Sequence, residues 1–271
     1  MAKVPMIGLL TDFGIDDAYV GILKCVILDI CPAVPVVDLC HAIAGQNILS
    51  GAYLLGTTAS YLPHGAVVVA VVDPGVGTAR RAVAVRTERG ILVGPDNGLF
   101  SFVLRHHPAH EVFELTNAAY HLEAVSATFH GRDIFAPVAA HLACGIEIEA
   151  IGTRCSSDSL VYLANTDPIF HDEEIEANVI HIDRFGNVIT NLTFAAYRAW
   201  EGDVATKATI ELEEYEEDVP IYRSFGEVPV RAPLAFWGSG GHLELAVREG
   251  SAASVFGLGQ ESSLVVKKRS S

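Results

Sequence analysis

Residues 65–72, GAVVVAVV, form an unbroken apolar run of β-branched character that ends on Asp73. A strand buried on both faces has this composition. The next residues constrain the fold further. DPGVGTARR (73–81) is a glycine-rich turn, and RAVAVRT (81–87) alternates as a strand does, so strand joins strand. A phosphate-binding loop needs a helix at that point, which argues against a nucleotide P-loop. Upstream, MIGLLTDFG reads as strand then turn, AYVGILKCVILDIC as helix, VPVVDLC as strand and QNILSGAYLLGTTASYL as helix. That alternation predicts an α/β domain, a mostly parallel sheet covered by helices. Chemistry in such sheets gathers beyond the strand C-termini. Asp12, Asp38 and Asp73 each end an apolar strand in this reading, and ILVGPDNGLF adds a strand end followed by Asn97 and Gly98.

HGRDIFAPVAAHLACG reads as a helix ended by Gly145, after which ANTDPIFHDEEIEAN carries Pro168 and an acidic cluster. From Val179 short strands alternate with Gly and Asn turns: NVIHIDRFGNVITNL, ATIELEE, PLAFWGSGGHLELAV and SSLVVKK. The expected organisation is an α/β domain over 1–165, a linker over 166–178 and a smaller all-β, barrel-like domain over 179–271.

A chain of 271 residues with 50% hydrophobic content can bury a substantial core. It contains no apolar run of the roughly 18–20 residues that a membrane span needs. VPMIGLL is cut short by Thr11 and Asp12, so a cytoplasmic protein is expected. The five cysteines, Cys25, Cys31, Cys40, Cys144 and Cys155, include no CxxC pair and read as reduced core thiols, with neither a disulfide framework nor a zinc site. A formal net charge of -15 would repel a phosphate backbone, so nucleic acid is not an expected partner. Much of that charge lies in ELEEYEEDV (211–219), a solvated edge or loop. HHPAH (106–110) lacks a carboxylate or Cys at ligand spacing and reads as a polar surface loop.

Several polar positions carry two readings each. In LLTDFGIDDAYVG the carboxylates suit ribose hydroxyls or an ammonium, while Asp16 or Asp17 could instead cap the following helix. In TFHGRDIF, His130 precedes a helix and is either catalytic or structural, and Asp133 reads as a carboxylate compensating the helix dipole. In IDRFGNVITN, Asp183 and Asn187 are either turn formers or ligands. No GxSxG, HExxH, GxxxxGK[ST] or GxGxxG stands in its required context.

Taken together, LLTDFGIDDAYVG, VVDPGVGTARR, GPDNG, FHGRDIFAPVAAHLACG, IDRFGNVITNL and GHLELAV resemble one family, the S-adenosyl-L-methionine hydroxide adenosyltransferases or SAM hydrolases, relatives of the bacterial fluorinase and chlorinase. The match runs in order from about Met6 to about Val266. The resemblance implies hydrolysis of S-adenosyl-L-methionine to adenosine and L-methionine, with no cofactor or metal, in a homotrimer whose sites lie between subunits. By motif it puts the nucleophile on Asp73, Arg80 and His130. It puts the ribose hydroxyls on Asp12, the methionine ammonium on Asp17 and Asp183, the ribose or sulfur region on Phe129, and the adenine edge on Asn187. Ser239 would approach the methionine carboxylate, and Glu249 the adenine through its backbone. Gly238-Ser239 and Arg248 depart from the family's usual Asn-Ser and Asn. Two alternatives remain, a halide-using adenosyltransferase and a non-catalytic sensor of the same ligand.

Overall fold

The structure is a computed structural model that describes residues 6–164, 166–201, 208–212, 215–260 and 262–268. The chain divides into two compact units, Met1–Leu163 and Ala164–Ser271.

The first unit contains β1 (Ile7–Thr11), α1 (Tyr19–Ile30), β2 (Val36–Cys40), α2 (Ile48–Ala59), β3 (Ala66–Val71), β4 (Ala82–Arg86), β5 (Gly90–Pro95), α3 (Ser101–His106), β6 (Glu111–Glu114), α4 (Ala136–Ala143) and β7 (Thr153–Cys155). Its seven-stranded sheet has the order β2-β1-β3-β5-β4-β6-β7. The β2, β1, β3 and β5 strands run parallel, whereas β4 pairs antiparallel with β5 and β6, and β6 with β7. The sheet is therefore mixed, with its parallel half under the helices. Every residue of β3 is buried, as its composition predicts. Val67, Val69 and Val71 pack into one core with Leu23 and Ile27 of α1 and Val138 and Leu142 of α4. The α2 and α3 helices pack on one another.

The expectation of five reduced thiols is wrong for two of them. Cys31, just past α1, and Cys144, just past α4, form a disulfide with Cα atoms 5.9 Å apart and 113 residues between them in sequence. Cys25 is exposed, not a core thiol. The HHPAH segment is also not wholly a surface loop: His107 is only 8% exposed, and its Nδ1 lies 2.9 Å from Glu88 Oε1.

The second unit contains β8 (Ile169–Phe170), β9 (Glu174–Ile182), β10 (Val188–Thr193), α5 (Phe194–Glu201), β11 (Ala208–Leu212), β12 (Tyr215–Pro220), β13 (Pro233–Trp237), β14 (His242–Val247), α6 (Ala252–Val255) and β15 (Ser263–Lys268). Antiparallel pairing runs β12-β11-β15-β9-β10-β14-β13, with β8 on β9. A bridge from Ile221 to Ala235 links the two ends and nearly closes a barrel around Val179, Leu192, Leu243 and Val266. The acidic stretch 211–219 falls on the β11–β12 hairpin, and its Glu213 and Glu214 lie outside the described residues.

Candidate active site

The site is built where β1 and β3 end side by side. The Asp12 amide, just past β1, donates to Val71 O at the end of β3 (3.4 Å), so Asp12 and Asp73 leave neighbouring strands at one edge. Asp38 does not join them. It lies within β2 and is held by Lys24 Nζ (2.7 Å) and His41 Nε2 (3.0 Å).

The turn after Asp73 folds back so that Arg80 meets it. Arg80 Nε donates to both Asp73 oxygens (3.0 and 3.0 Å), and Nη2 donates to Oδ2 as well. The same Nη2 lies 2.8 Å from Nδ1 of His130, and the guanidinium carbon stands 5.2 Å from the Phe135 ring centroid. Side-chain exposure is only 10% for Arg80 and 5% for Asp73, so this is a charge pair largely withdrawn from water. Gly77 makes the assembly possible: its φ is +76°, and a Cβ there would stand 2.5 Å from the carbonyl oxygen of Ala127. Any other residue would push the turn off the segment that carries His130.

The contact with Arg80 fixes the histidine's tautomer. A guanidinium only donates, so Nδ1 of His130 accepts and the ring proton sits on Nε2. Burial, and then the charge of Arg80, hold the imidazole below its usual pKa, against an opposing pull from Asp73 and Asp133. The ring is therefore neutral at physiological pH.

His130 leads into a π-helical turn, Gly131–Phe135, which continues as α4. Such turns recur at functional sites. Asp133 is fully buried in it and does more than offset a dipole. It accepts from Arg132 Nε (2.6 Å), from Arg132 Nη2 (3.1 Å) and from the Ser126 amide (2.8 Å). Burial pushes its carboxyl up, but the bonds from Arg132 and Ser126 and the charge of Arg132 outweigh burial and hold it below the usual range. Ser126 Oγ in turn accepts from the Phe129 amide (3.0 Å), which fixes the loop ahead of His130.

A cleft of about 770 Å³ opens here, lined among others by Asp12, Gln46, Asp73, Phe129, His130 and Arg132. Phe129 stands edge-on to Phe13 and to Tyr19, which are tilted to each other, with ring centroids 5.3–5.9 Å apart. Asp12 Oδ2 accepts from the Gln46 amide (2.7 Å), and Gln46 sits in the left-handed region at φ 68°. Backbone strain of that kind in a non-glycine residue is concentrated at functional sites. Gln46 and the structural role of Asp133 carry no signal in the sequence, whereas Phe13, Tyr19 and Arg132 stand out there only as members of longer motifs.

Of the residues named from sequence, Asp12, Asp73, Phe129 and His130 line this cleft, with Arg80 bonded behind them. Asp17 is exposed outside the lining, and it does not cap α1, whose N-terminus has no side-chain cap. The others belong to the second unit. Asp183 Oδ1 accepts from the Phe185 and Asn187 amides (2.8 and 2.9 Å) and Oδ2 from Asn187 Nδ2 (2.8 Å), a turn closed on itself. Ser239 and Glu249 are exposed in turns, Glu249 with φ 56°. Glu244 of β14, which the sequence does not single out, is half-buried, and its carboxyl is pushed up to about 7 by burial and by the charge of Asp183. Among the described residues no cluster of His, Cys, Asp or Glu is arranged to hold a metal ion, and no helix is long and apolar enough to cross a membrane.

Residues 7–152 match the SAM hydroxide adenosyltransferase N-terminal domain and residues 177–265 the corresponding C-terminal domain. The chain is 44% identical over 256 residues to a protein of Thermus thermophilus named (R)-S-adenosyl-L-methionine hydrolase, covering 92% of this chain and 94% of that protein. It is 29% identical to a protein of Nocardia brasiliensis named fluorinase, covering 97% of each. Among solved structures, an uncharacterized conserved protein from Thermotoga maritima superposes with a TM-score of 0.90 at 33% identity, covering 97% of this chain and all of that one.

Proposed function

The chain belongs to the SAM hydroxide adenosyltransferase family, and from that premise we propose that it hydrolyses S-adenosyl-L-methionine to adenosine and L-methionine by in-line attack of water on the ribose 5′ carbon. The observation that carries this reading is the bonded chain Asp73–Arg80–His130 at the edge of the cleft. The enzyme is a hydrolase, as its relatives are named.

The chemistry asks little of an acid. As the water oxygen bonds to the 5′ carbon, the carbon–sulfur bond breaks and its electron pair neutralises the sulfonium, so methionine leaves uncharged at sulfur. What the site must do is hold a poor nucleophile in line and take its proton. With Nδ1 engaged by Arg80, His130 has only its Nε2–H to offer, so it orients the water as a donor and Asp73 receives the proton. Arg80 restrains both partners, which lowers the reorganisation needed at the transition state. A leaving group this good requires no strong base. In-line placement adds several kcal/mol, on the order seen for well-oriented intramolecular reactions. A halide in place of water would face the carboxylate of Asp73 at the cleft wall, which disfavours that alternative.

The relative's name specifies R in addition to L, and L fixes the α-carbon, so R describes the sulfonium. The same epimer is the proposed substrate here. Asp12 with its Gln46 contact is proposed for the ribose hydroxyls, Phe129 for the ribose or sulfur region, and Asp17 and Asp183 for the ammonium. We further infer a homotrimer in which Asn187, Ser239 and Glu249 complete a neighbouring subunit's site, a reading supported by the family resemblance. Light scattering of the purified protein checks it, and a monomeric mass would sink it. A cytoplasmic location goes with an intracellular methyl donor as substrate; the Cys31–Cys144 disulfide removes the support that reduced thiols would have lent.

The decisive test is incubation of EDTA-treated protein with each sulfonium epimer in ¹⁸O-water, with and without halide, followed by mass spectrometry. Adenosine labelled at the 5′ oxygen beside unlabelled methionine is expected. A halogenated nucleoside, or binding of adenosine with no turnover of either epimer, would overturn the reading.

A further inference from the structure

Arg132 is a cation on the wall of a cleft whose other charged lining groups, Asp12 and Asp73, are acids and whose histidine is held neutral. Arg80 is withdrawn behind the wall and committed to Asp73 and His130. Arg132, by contrast, keeps 35% of its side chain exposed. It is nonetheless fixed on two sides. Nε and Nη2 fork onto the buried carboxylate of Asp133, and the guanidinium carbon stands 5.2 Å from the Phe129 ring centroid. Nη1 has no bond to any described residue, so its two N–H groups remain available to a ligand in the cleft.

The proposed substrate is cationic at its sulfonium and at its ammonium. A rigid guanidinium in its path would oppose it, unless it meets the substrate's single anion. We propose that Arg132 is a specificity-determining residue that receives the α-carboxylate of the methionine portion through Nη1, in addition to the Ser239 contact that the family resemblance implies from a neighbouring subunit, and that Asp133 is the positioning residue that aims it. The inference rests on the hydrolase reading and deepens it. Arginine suits the task because its planar fork can bond Asp133 along one edge while presenting separate N–H groups to a second carboxylate. Asp133 couples the two functions: the same carboxylate that holds Arg132 also takes the Ser126 amide, and so ties the carboxylate receptor to the loop that bears Phe129 and His130.

The experiment compares kcat/KM for S-adenosyl-L-methionine with that for its decarboxylated analogue, in wild type, Arg132→Met, Arg132→Lys and Asp133→Asn. A charge-assisted hydrogen bond at a partly exposed site corresponds to about tenfold in this ratio. Wild type should prefer the carboxylate-bearing substrate by that factor. Arg132→Met should compress the preference toward unity, chiefly through KM. Arg132→Lys should retain part of the preference, and Asp133→Asn should lose part of it. A wild type that hydrolyses both compounds equally well overturns the assignment, as does an Arg132→Met variant that slows both by one common factor; either leaves the hydrolase reading standing. If neither compound is hydrolysed in ¹⁸O-water, the reading falls and the assignment with it.

Discussion

The buried acids beside the cleft in the first unit and those near Asp183 in the second are treated in opposite ways. In the first, three acids with little side-chain exposure each have a guanidinium against them: Asp73 has Arg80, Asp96 has Arg81 and Asp133 has Arg132, whereas Asp12 of the cleft lining accepts from the Gln46 amide. In the second, Glu201 has Arg198 against it in the same way, but Asp183 is satisfied by backbone amides and the Asn187 amide, and half-buried Glu244 faces no Lys or Arg among the described residues. The first arrangement is electrostatically closed and stiff, as a site that positions a nucleophile requires. The second leaves negative charge uncompensated, at a cost in stability that a cation from outside would relieve. An ammonium is the cation this family's substrate would bring. The contrast makes a prediction about sign: removing an arginine-paired acid such as Asp73 strands a cation and destabilises, whereas neutralising Glu244 stabilises.

The largest effect is expected at Asp73. Asp73→Ala should lower kcat by about 10²–10⁴-fold, because it removes the proposed proton acceptor. It should also cost about 3 kcal/mol in unfolding free energy, because Arg80 is left buried beside an empty space. Single-turnover kinetics and denaturant unfolding read the two separately. A variant as stable as wild type would show that the pair is not a closed unit, and the comparison between the two halves would lose its first term.

A smaller, spectroscopic effect sharpens the tautomer argument. The His130 pKa is held below its usual value first by burial and then by Arg80. Its folded value is thus depressed below the unfolded 6.5, so the unfolded chain binds more protons and stability falls as pH drops below about 6.5. The acid limb of kcat/KM should lie in that same window. In Arg80→Met the guanidinium's repulsion disappears and burial remains, so the imidazole titration followed by NMR should move upward. Wild-type spectra should show the proton on Nε2. A ring protonated on Nδ1 would break the donor role assigned to His130.

These distinctions also mark where the sequence is readable. The strand ending on Asp73, the turn back to Arg80 and the helix after His130 are local patterns, and the composition of 65–72 specifies its burial outright. Other features depend on partners far away in the chain. Nothing near Cys31 announces Cys144, and β4 gives no sign that it pairs with β5 and β6, so a mostly parallel sheet is the natural expectation. Gln46 looks like an ordinary loop residue until Asp12 is seen to take its amide. Asp133 shows the same limit: as a helix-start acid it has a routine explanation, and only its burial against Arg132 and Ser126 reveals the loop it organises.

Glu244 gives the smallest effect, and its sign decides whether the comparison holds. Its carboxyl is pushed up to about 7 by burial and by Asp183, against an ordinary value of 4.5. A raised folded value means that between about 4.5 and 7 the native state holds a proton the unfolded chain has released, so stability falls as pH rises through that window and levels off above it. Glu244→Gln keeps the shape and removes the charge. It should match wild type near pH 4 and gain an advantage above pH 7 of on the order of 1 kcal/mol, reduced by the solvent that still reaches the group. Gly238 offers a second handle, because a Cβ there would stand 1.7 Å from Glu244 Oε1, so Gly238→Ala should displace the carboxylate and shrink the pH dependence while costing packing. Thermal or denaturant unfolding of the three proteins at pH 4, 6 and 8 measures all of this. An advantage for Glu244→Gln that does not vary with pH would mean the charge is already compensated within the chain, and the second unit would then be as closed as the first.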